Sequence, residues 1–154
     1  VFMGDGSQIG RYSELARELD IEDRVIFTGF VDDVAPYYAL MDLNVNASFG
    51  TETSSLALSE GMSVGVPALA SDYGGNPRMI ERGVNGFLFP PHDEQALASL
   101  LLRLHDDRVL LGELSTGARR LYQEKFTAPA MVARLEGLYT RVMIDKGRRE
   151  ALAH

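Results

Sequence analysis

The chain has 154 residues, 45% hydrophobic and 24% charged, which supplies one domain's core at a size where roughly 70% of the unfolded surface is buried. Zero cysteines exclude a disulfide framework, a thiolate nucleophile and thiolate-ligated zinc or iron–sulfur centres. Fifteen Lys and Arg against 22 Asp and Glu give a formal charge of -7, a field that opposes nucleic acid but still permits a small anion at a helix terminus.

Taken in chain order, short apolar runs alternate with helical patterns. Val1–Gly4 reads as the end of a strand, followed by a glycine loop and a helix over Gly10–Leu19. Arg24–Thr28 reads as a buried strand, Asp33–Met41 as a helix and Leu43–Asn46 as a third strand. Ser48–Thr53 is a loop, and Ser54–Val64 a helix stopped by Gly65. Ala68–Ala70 is a fourth strand, Ser71–Pro77 a turn-rich stretch before a short helix, and Phe87–Phe89 a fifth strand after the turn dipeptide Asn85-Gly86. Asp93 caps a helix to His105, Arg108–Lys125 forms another, and Thr127 with Pro129 opens a last one. In that last helix Met131, Leu135, Leu138 and Val142 form an i, i+4, i+7, i+11 stripe, which predicts packing against a core.

Strands separated by helices predict βαβ units: an α/β fold with an open parallel sheet of about five strands, helices on both faces and a helical C-terminal cap. The strand-to-helix loops then share one sheet edge, where ligands of such folds bind. The longest apolar run, Ala96–Leu102, is interrupted by Ser99 and falls far short of the ~18 residues of a membrane span. Val1-Phe2-Met3 has no basic region or cleavage site and resembles the edge of a strand. The expectation is a single domain over 1–154, cut from a larger protein.

Three loops at that edge are candidates for chemistry. Gly4-Asp5-Gly6-Ser7-Gln8-Ile9-Gly10 follows a strand, but its spacing is G-x-G-x-x-x-G rather than the dinucleotide G-x-G-x-x-G, and a tight turn explains its glycines equally well. Phe49-Gly50-Thr51-Glu52-Thr53-Ser54-Ser55-Leu56 leads into the helix that carries Glu60. Its hydroxyls can cap the helix, and the same free N–H groups can hold a diphosphate. Glu52 and Glu60 lie about 12 Å apart on a helical path, too far for the ~5–9.5 Å carboxylate pair of a glycosidase. That span suits either a ligand with hydroxyls at both ends or two ordinary solvated glutamates. Ser71-Asp72-Tyr73-Gly74-Gly75-Asn76-Pro77 is the third loop, where paired glycines admit a ligand's close approach or simply a positive φ.

The run Glu52-x7-Glu60, then Gly61 to Gly75, then Gly83-Val84-Asn85-Gly86-Phe87-Leu88-Phe89-Pro90-Pro91, resembles the C-terminal domain of retaining GT-B glycosyltransferases of the "glycosyl transferases group 1" type. Val25-Ile26-Phe27-Thr28-Gly29-Phe30, Tyr37-Tyr38 and Asp42-Leu43-Asn44-Val45 extend the resemblance upstream, so it covers about Val1 to Lys125. It implies a Rossmann-like half that binds a nucleoside diphosphate sugar, with no metal and no cofactor. By position, Glu52 matches the glutamate that orients the donor sugar and is the catalytic candidate; Glu60 matches the one that takes the ribose hydroxyls. Thr53, Ser54, Ser55 and Leu56 replace the family's Gly-Phe-Gly-Leu, whose amides meet sugar and diphosphate. Gly29, Phe30 and Val31 match the segment that meets the nucleobase, and Arg78 stands where many members have Glu.

The family's phosphate-clamping Arg and Lys, and its acceptor-binding domain, would lie upstream of Val1. The resemblance implies partners accordingly: a nucleotide-sugar donor, and an acceptor glycan, lipid or small molecule through that further domain. It implies a cytoplasmic protein, with membrane association in the full-length form. Without its first strand the family's doubly wound sheet reads 2-1-3-4-5, if Val1–Gly4 pairs directly with Leu43–Asn46; a strand from a second copy in that slot would instead make a homo-oligomer. The rival readings are an NAD-binding oxidoreductase domain, from the Gly4 loop, and a non-catalytic flavodoxin-like interaction domain.

Overall fold

A computed structural model describes residues 1–50 and 54–152, in two compact units, Val1–Tyr37 and Tyr38–His154. In the first unit the chain pairs Phe2 with Phe27 in parallel and Gly4 with Gly29 in antiparallel sense. The Phe2 N–H donates to the Ile26 carbonyl at 2.7 Å, and the Gly4 N–H to the Gly29 carbonyl at 2.8 Å. Helix α1 (Ile9–Glu18) follows, and Asp20, at a positive φ of 55°, leads into a 3-10 turn over Glu22–Arg24. The Phe2 ring stacks on Phe27 at 5.2 Å and on Tyr12 at 6.0 Å. The expected strands Val1–Gly4 and Arg24–Thr28 are therefore corrected to two isolated bridges. A ladder needs successive pairs in one sense, and these two have opposite senses.

The second unit is an α/β layer structure. Strands β1 (Asn44–Asn46), β2 (Ala68–Ser71) and β3 (Gly86–Phe89) form a parallel sheet in the order β1-β2-β3, with Asn44 opposite Ala68 and Ala68 opposite Gly86. The described sheet thus has three strands rather than five. It reproduces the 3-4-5 part of the expected order; β1 is its edge, laddered to β2, and Val1–Gly4 is not part of that ladder.

Helix α2 (Ala35–Leu40) precedes β1, α3 (Leu56–Ser63) joins β1 to β2, and the short α4 (Asn76–Met79) joins β2 to β3. Then come α5 (Glu94–Asp106), α6 (Arg108–Lys125) and α7 (Ala128–Leu152). Asp93 and Asp107 cap α5 and α6 by accepting the Ala96 and Leu110 amides at 2.8 and 2.9 Å.

The two-residue alternation of β2 divides the core. Ala68 and Ala70 pack with Leu58 and Met62 of α3, Met79, Ile80 and Ala118, while Leu69 packs with Phe87, Phe89, Leu104, Leu111 and Leu114 on the opposite face. A parallel sheet covered on both faces explains why β2 is apolar up to its last residue. Glycine is required where these layers touch. A Cβ on Gly86 would stand 1.8 Å from the Ala68 carbonyl oxygen, and one on Gly117 would stand 1.9 Å from that of Val84.

Asn85, fully buried, holds the turn before β3. Its Nδ2 donates to the Met79 carbonyl at 2.9 Å and its Oδ1 accepts the Glu81 amide at 2.7 Å. The expected packing of the α7 stripe is overturned: Met131, Leu135, Leu138 and Val142 are all exposed. Along α7 Ala130 is half-buried and residues 131–146 are exposed.

Candidate functional site

Helix α3 starts where β1 ends, at the carboxyl edge of the sheet, and its first turn is built by polar side chains. Ser55 is the N-cap: its Oγ accepts the Leu58 amide at 3.3 Å and a bond from Asn46 Nδ2 at 2.8 Å. That capping satisfies one of the orphan N–H groups at the helix start and leaves the Leu56 and Ala57 amides at the positive end of the helix dipole. Ser54 is exposed before the cap, and Leu56 is 74% exposed on the first turn.

Glu60 lies one turn after Leu56, on the same exposed face. Its Oε2 accepts a hydrogen bond from the buried Tyr38 hydroxyl at 3.4 Å. Burial, then the Glu60 charge, then that hydrogen bond push the Tyr38 hydroxyl from 10.0 up to about 12, so it stays a donor to the carboxylate at neutral pH. Gly61, next to Glu60, sits against Tyr38 and Asn44; a Cβ there would meet Asn44 Nδ2 at 3.1 Å. The Glu-Gly pair is thus also a packing requirement.

A second set of bonds holds the loop after β1. Asn46 Oδ1 accepts the Ser48 amide at 3.0 Å, and the Ser48 carbonyl accepts from the Ser71 hydroxyl. Asn76 Nδ2 donates to the Ser71 carbonyl and hydroxyl, both at 3.1 Å. The Ser71–Gly75 loop is therefore tied to the Ser48 loop through Ser71.

The site residues named from sequence fall into three groups. Ser54, Ser55, Leu56 and Glu60 are brought together by α3. Gly29, Phe30 and Val31 lie in the first unit: Gly29 has φ +66°, its carbonyl accepts the Gly4 amide, Phe30 is 69% exposed and Val31 is half-buried. Glu52 and Thr53 lie outside the described residues. Arg78 is exposed in the last turn of α4.

Sequence reasoning missed Asn44, Asn46 and the role of Tyr38. Two asparagines in a three-residue strand were a readable signal, since Asn is depleted in strands unless its amide has a partner. Among the described residues no cluster of three or more His, Asp or Glu could hold a metal, and no helix is long and apolar enough to cross a membrane.

A family model described as "Glycosyl transferases group 1" matches residues 1–107. The chain belongs to that family. It is 33% identical over 145 residues to N-acetyl-alpha-D-glucosaminyl L-malate synthase of Bacillus anthracis, an alignment covering 94% of this chain and 38% of that protein. It is 32% identical over 151 residues to exopolysaccharide phosphotransferase SCO2592 of Streptomyces coelicolor, covering 96% of this chain and 16% of the relative. The chain therefore spans well under half the length of these relatives.

Among solved structures, HepE of Anabaena in complex with UDP superposes with a TM-score of 0.80 at 26% identity, covering 90% of this chain and 40% of HepE. The C-terminal domain of a group 1 glycosyl transferase, LpcC of Francisella tularensis, gives 0.70 at 25% identity, covering 79% of this chain and 65% of that one. The fold is thus that of a C-terminal-type domain of the GT-B glycosyltransferases, and the dinucleotide reading of the Gly4 loop is set aside.

Proposed function

We propose that this chain is the donor-binding part of a retaining glycosyltransferase, which moves a sugar from a nucleoside diphosphate sugar to an acceptor hydroxyl. The observation that carries this reading is α3: a helix start with amides at its positive end, and four residues later a carboxylate held by Tyr38. The helix terminus would neutralise the diphosphate as it departs from an oxocarbenium-like sugar, a fixed electrostatic role. Glu60 would accept the ribose hydroxyls, Ser54, Ser55 and Leu56 would line the diphosphate, and Gly29, Phe30 and Val31 would meet the base. Glu52 keeps the sugar-orienting role that the resemblance implies, and Thr53 would line the donor where the family motif has glycine.

HepE, solved in complexes with UDP, UDP-glucose and UDP with glucose, supports a uridine donor as the first to test. The acceptor would be a glycan, a lipid or a small molecule held by a further domain, and the reaction would need no metal or cofactor. A relative in Escherichia coli, 26% identical, is named for an acceptor on diphosphoundecaprenol, which supports membrane association for the whole protein. Because the relatives are much longer, these 154 residues by themselves are expected neither to transfer nor to hydrolyse a nucleotide sugar.

Calorimetric titration with UDP, GDP, ADP, NAD and FMN tests the reading. One nucleoside diphosphate should bind, and Glu60→Ala should weaken it roughly ten- to a hundredfold, the worth of about 1.5–3 kcal/mol for hydrogen bonds to a charged group. Equal affinity in the folded variant would defeat the ribose assignment. Binding of NAD or FMN alone would defeat the donor site.

A further inference from the structure

Strand β1 reads Asn-Val-Asn, and its two asparagines share one face, two residues or about 6.6 Å apart. Both reach α3. Asn44 Nδ2 donates to the Ala57 carbonyl at 2.7 Å, and Asn46 Nδ2 donates to the Ser55 hydroxyl at 2.8 Å. The order is reversed between the partners, 44 to 57 and 46 to 55, as it must be when a helix runs back antiparallel to the strand it follows. Gly61 completes the fit, because any Cβ there would crowd Asn44 Nδ2.

We propose that Asn44 and Asn46 are positioning residues: a two-pronged amide clamp that fixes the start of α3 over the end of β1, and so sets where the Leu56 and Ala57 amides and Glu60 stand relative to the sheet edge. The role rests on the donor-site reading above. Asn46 does more than Asn44, since its Oδ1 also holds the Ser48 amide. One side chain thereby ties the Ser48 loop to the N-cap of α3. The cap Ser55 stands where the family motif has glycine, which has no hydroxyl for Asn46 to grip. The Asn46 prong therefore depends on the Ser55 hydroxyl, whereas the Asn44 prong grips a backbone carbonyl.

The test uses the intact chain, amide hydrogen exchange and UDP titration. Asn46→Ala should accelerate exchange of the Ser48 and Leu58 amides about tenfold, leave the β2–β3 amides within about twofold, and weaken UDP binding about tenfold. Asn44→Ala should do less, about threefold in UDP affinity. Asn46→Asp is the conservative variant: one carboxylate oxygen accepts the Ser48 amide, the other accepts the Ser55 hydroxyl proton, and Ser55 still caps Leu58. It should restore the protection of Ser48 and Leu58 and keeps the proposal testable if the alanine variant does not fold.

Unchanged Ser48 exchange in either alanine variant of position 46 or its double with Asn44→Ala would overturn the clamp, as would acceleration spread evenly over β2 and β3. Accelerated exchange with unaltered UDP affinity would overturn the positioning role. A wild-type chain that binds no nucleoside diphosphate defeats the donor-site reading and the positioning role with it, while the exchange pattern still reports whether the clamp holds α3.

Discussion

Arg24–Thr28 and Ala68–Ser71 look alike as strings, each a short apolar run bounded by polar or turn residues, yet they end in different structures. In the second unit, β2 is buried at every position and laddered on both sides. In the first unit, the run Val25-Ile26-Phe27 takes part in one parallel bridge, Ile26 is 59% exposed, and Ala16 is the buried hydrophobic residue of that unit among those described. The difference teaches that an apolar run becomes a strand when layers cover both of its faces. For β2 those layers are α3, α4 and the later turns of α6 on one side, and α5 with the first turns of α6 on the other.

The contrast breaks most sharply at Gly86. Gly86→Ala puts a methyl group against the Ala68 backbone at a positive φ, and should cost more than about 4 kcal/mol or prevent folding, read as the midpoint of urea denaturation. Leu69→Ala empties a fully buried site between β2 and α6 and should cost about 2–5 kcal/mol in the same assay.

Tyr38→Phe should be milder at neutral pH, about 1 kcal/mol for one hydrogen bond. Its signature is the pH profile. The Tyr38 hydroxyl titrates at 10.0 unfolded and at about 12 folded, so its contribution is complete below pH 10 and is lost as pH rises toward 12. The wild type should lose stability across that window faster than the phenylalanine variant, and parallel profiles would show that burial and Glu60 together do not hold the hydroxyl protonated. The smallest effect is expected in the first unit, where Ile26→Ala should cost about 0.5 kcal/mol because the side chain is already largely in water. A cost near that of Leu69→Ala would erase the contrast between the two runs.

The sites differ in legibility for the same reason. Glu60, Ser55 and the cap of α3 were readable, because a capping hydroxyl and a carboxylate five residues later are local facts of one helix. So were Asp93 as the cap of α5 and Arg108–Lys125 as the span of α6. The partners of Asn44, Asn46 and Tyr38 were not, because each lies 9 to 22 residues away and only chain reversal brings them together.

The sequence by itself determined the caps, the glycine stops and most of the helix spans, which depend on neighbours within about two turns of chain, and the family motif, which is read as ordered residues without any fold. The tertiary structure decided the rest. It reduced five strands to three, since a ladder requires a partner in register and not only an apolar run. It left the α7 stripe in solvent, since periodicity marks a face able to pack but says nothing of what lies opposite. And it joined β1 to α3 through two asparagine amides, because hydrogen bonds between distant residues form only when the fold has already brought donor and acceptor within reach.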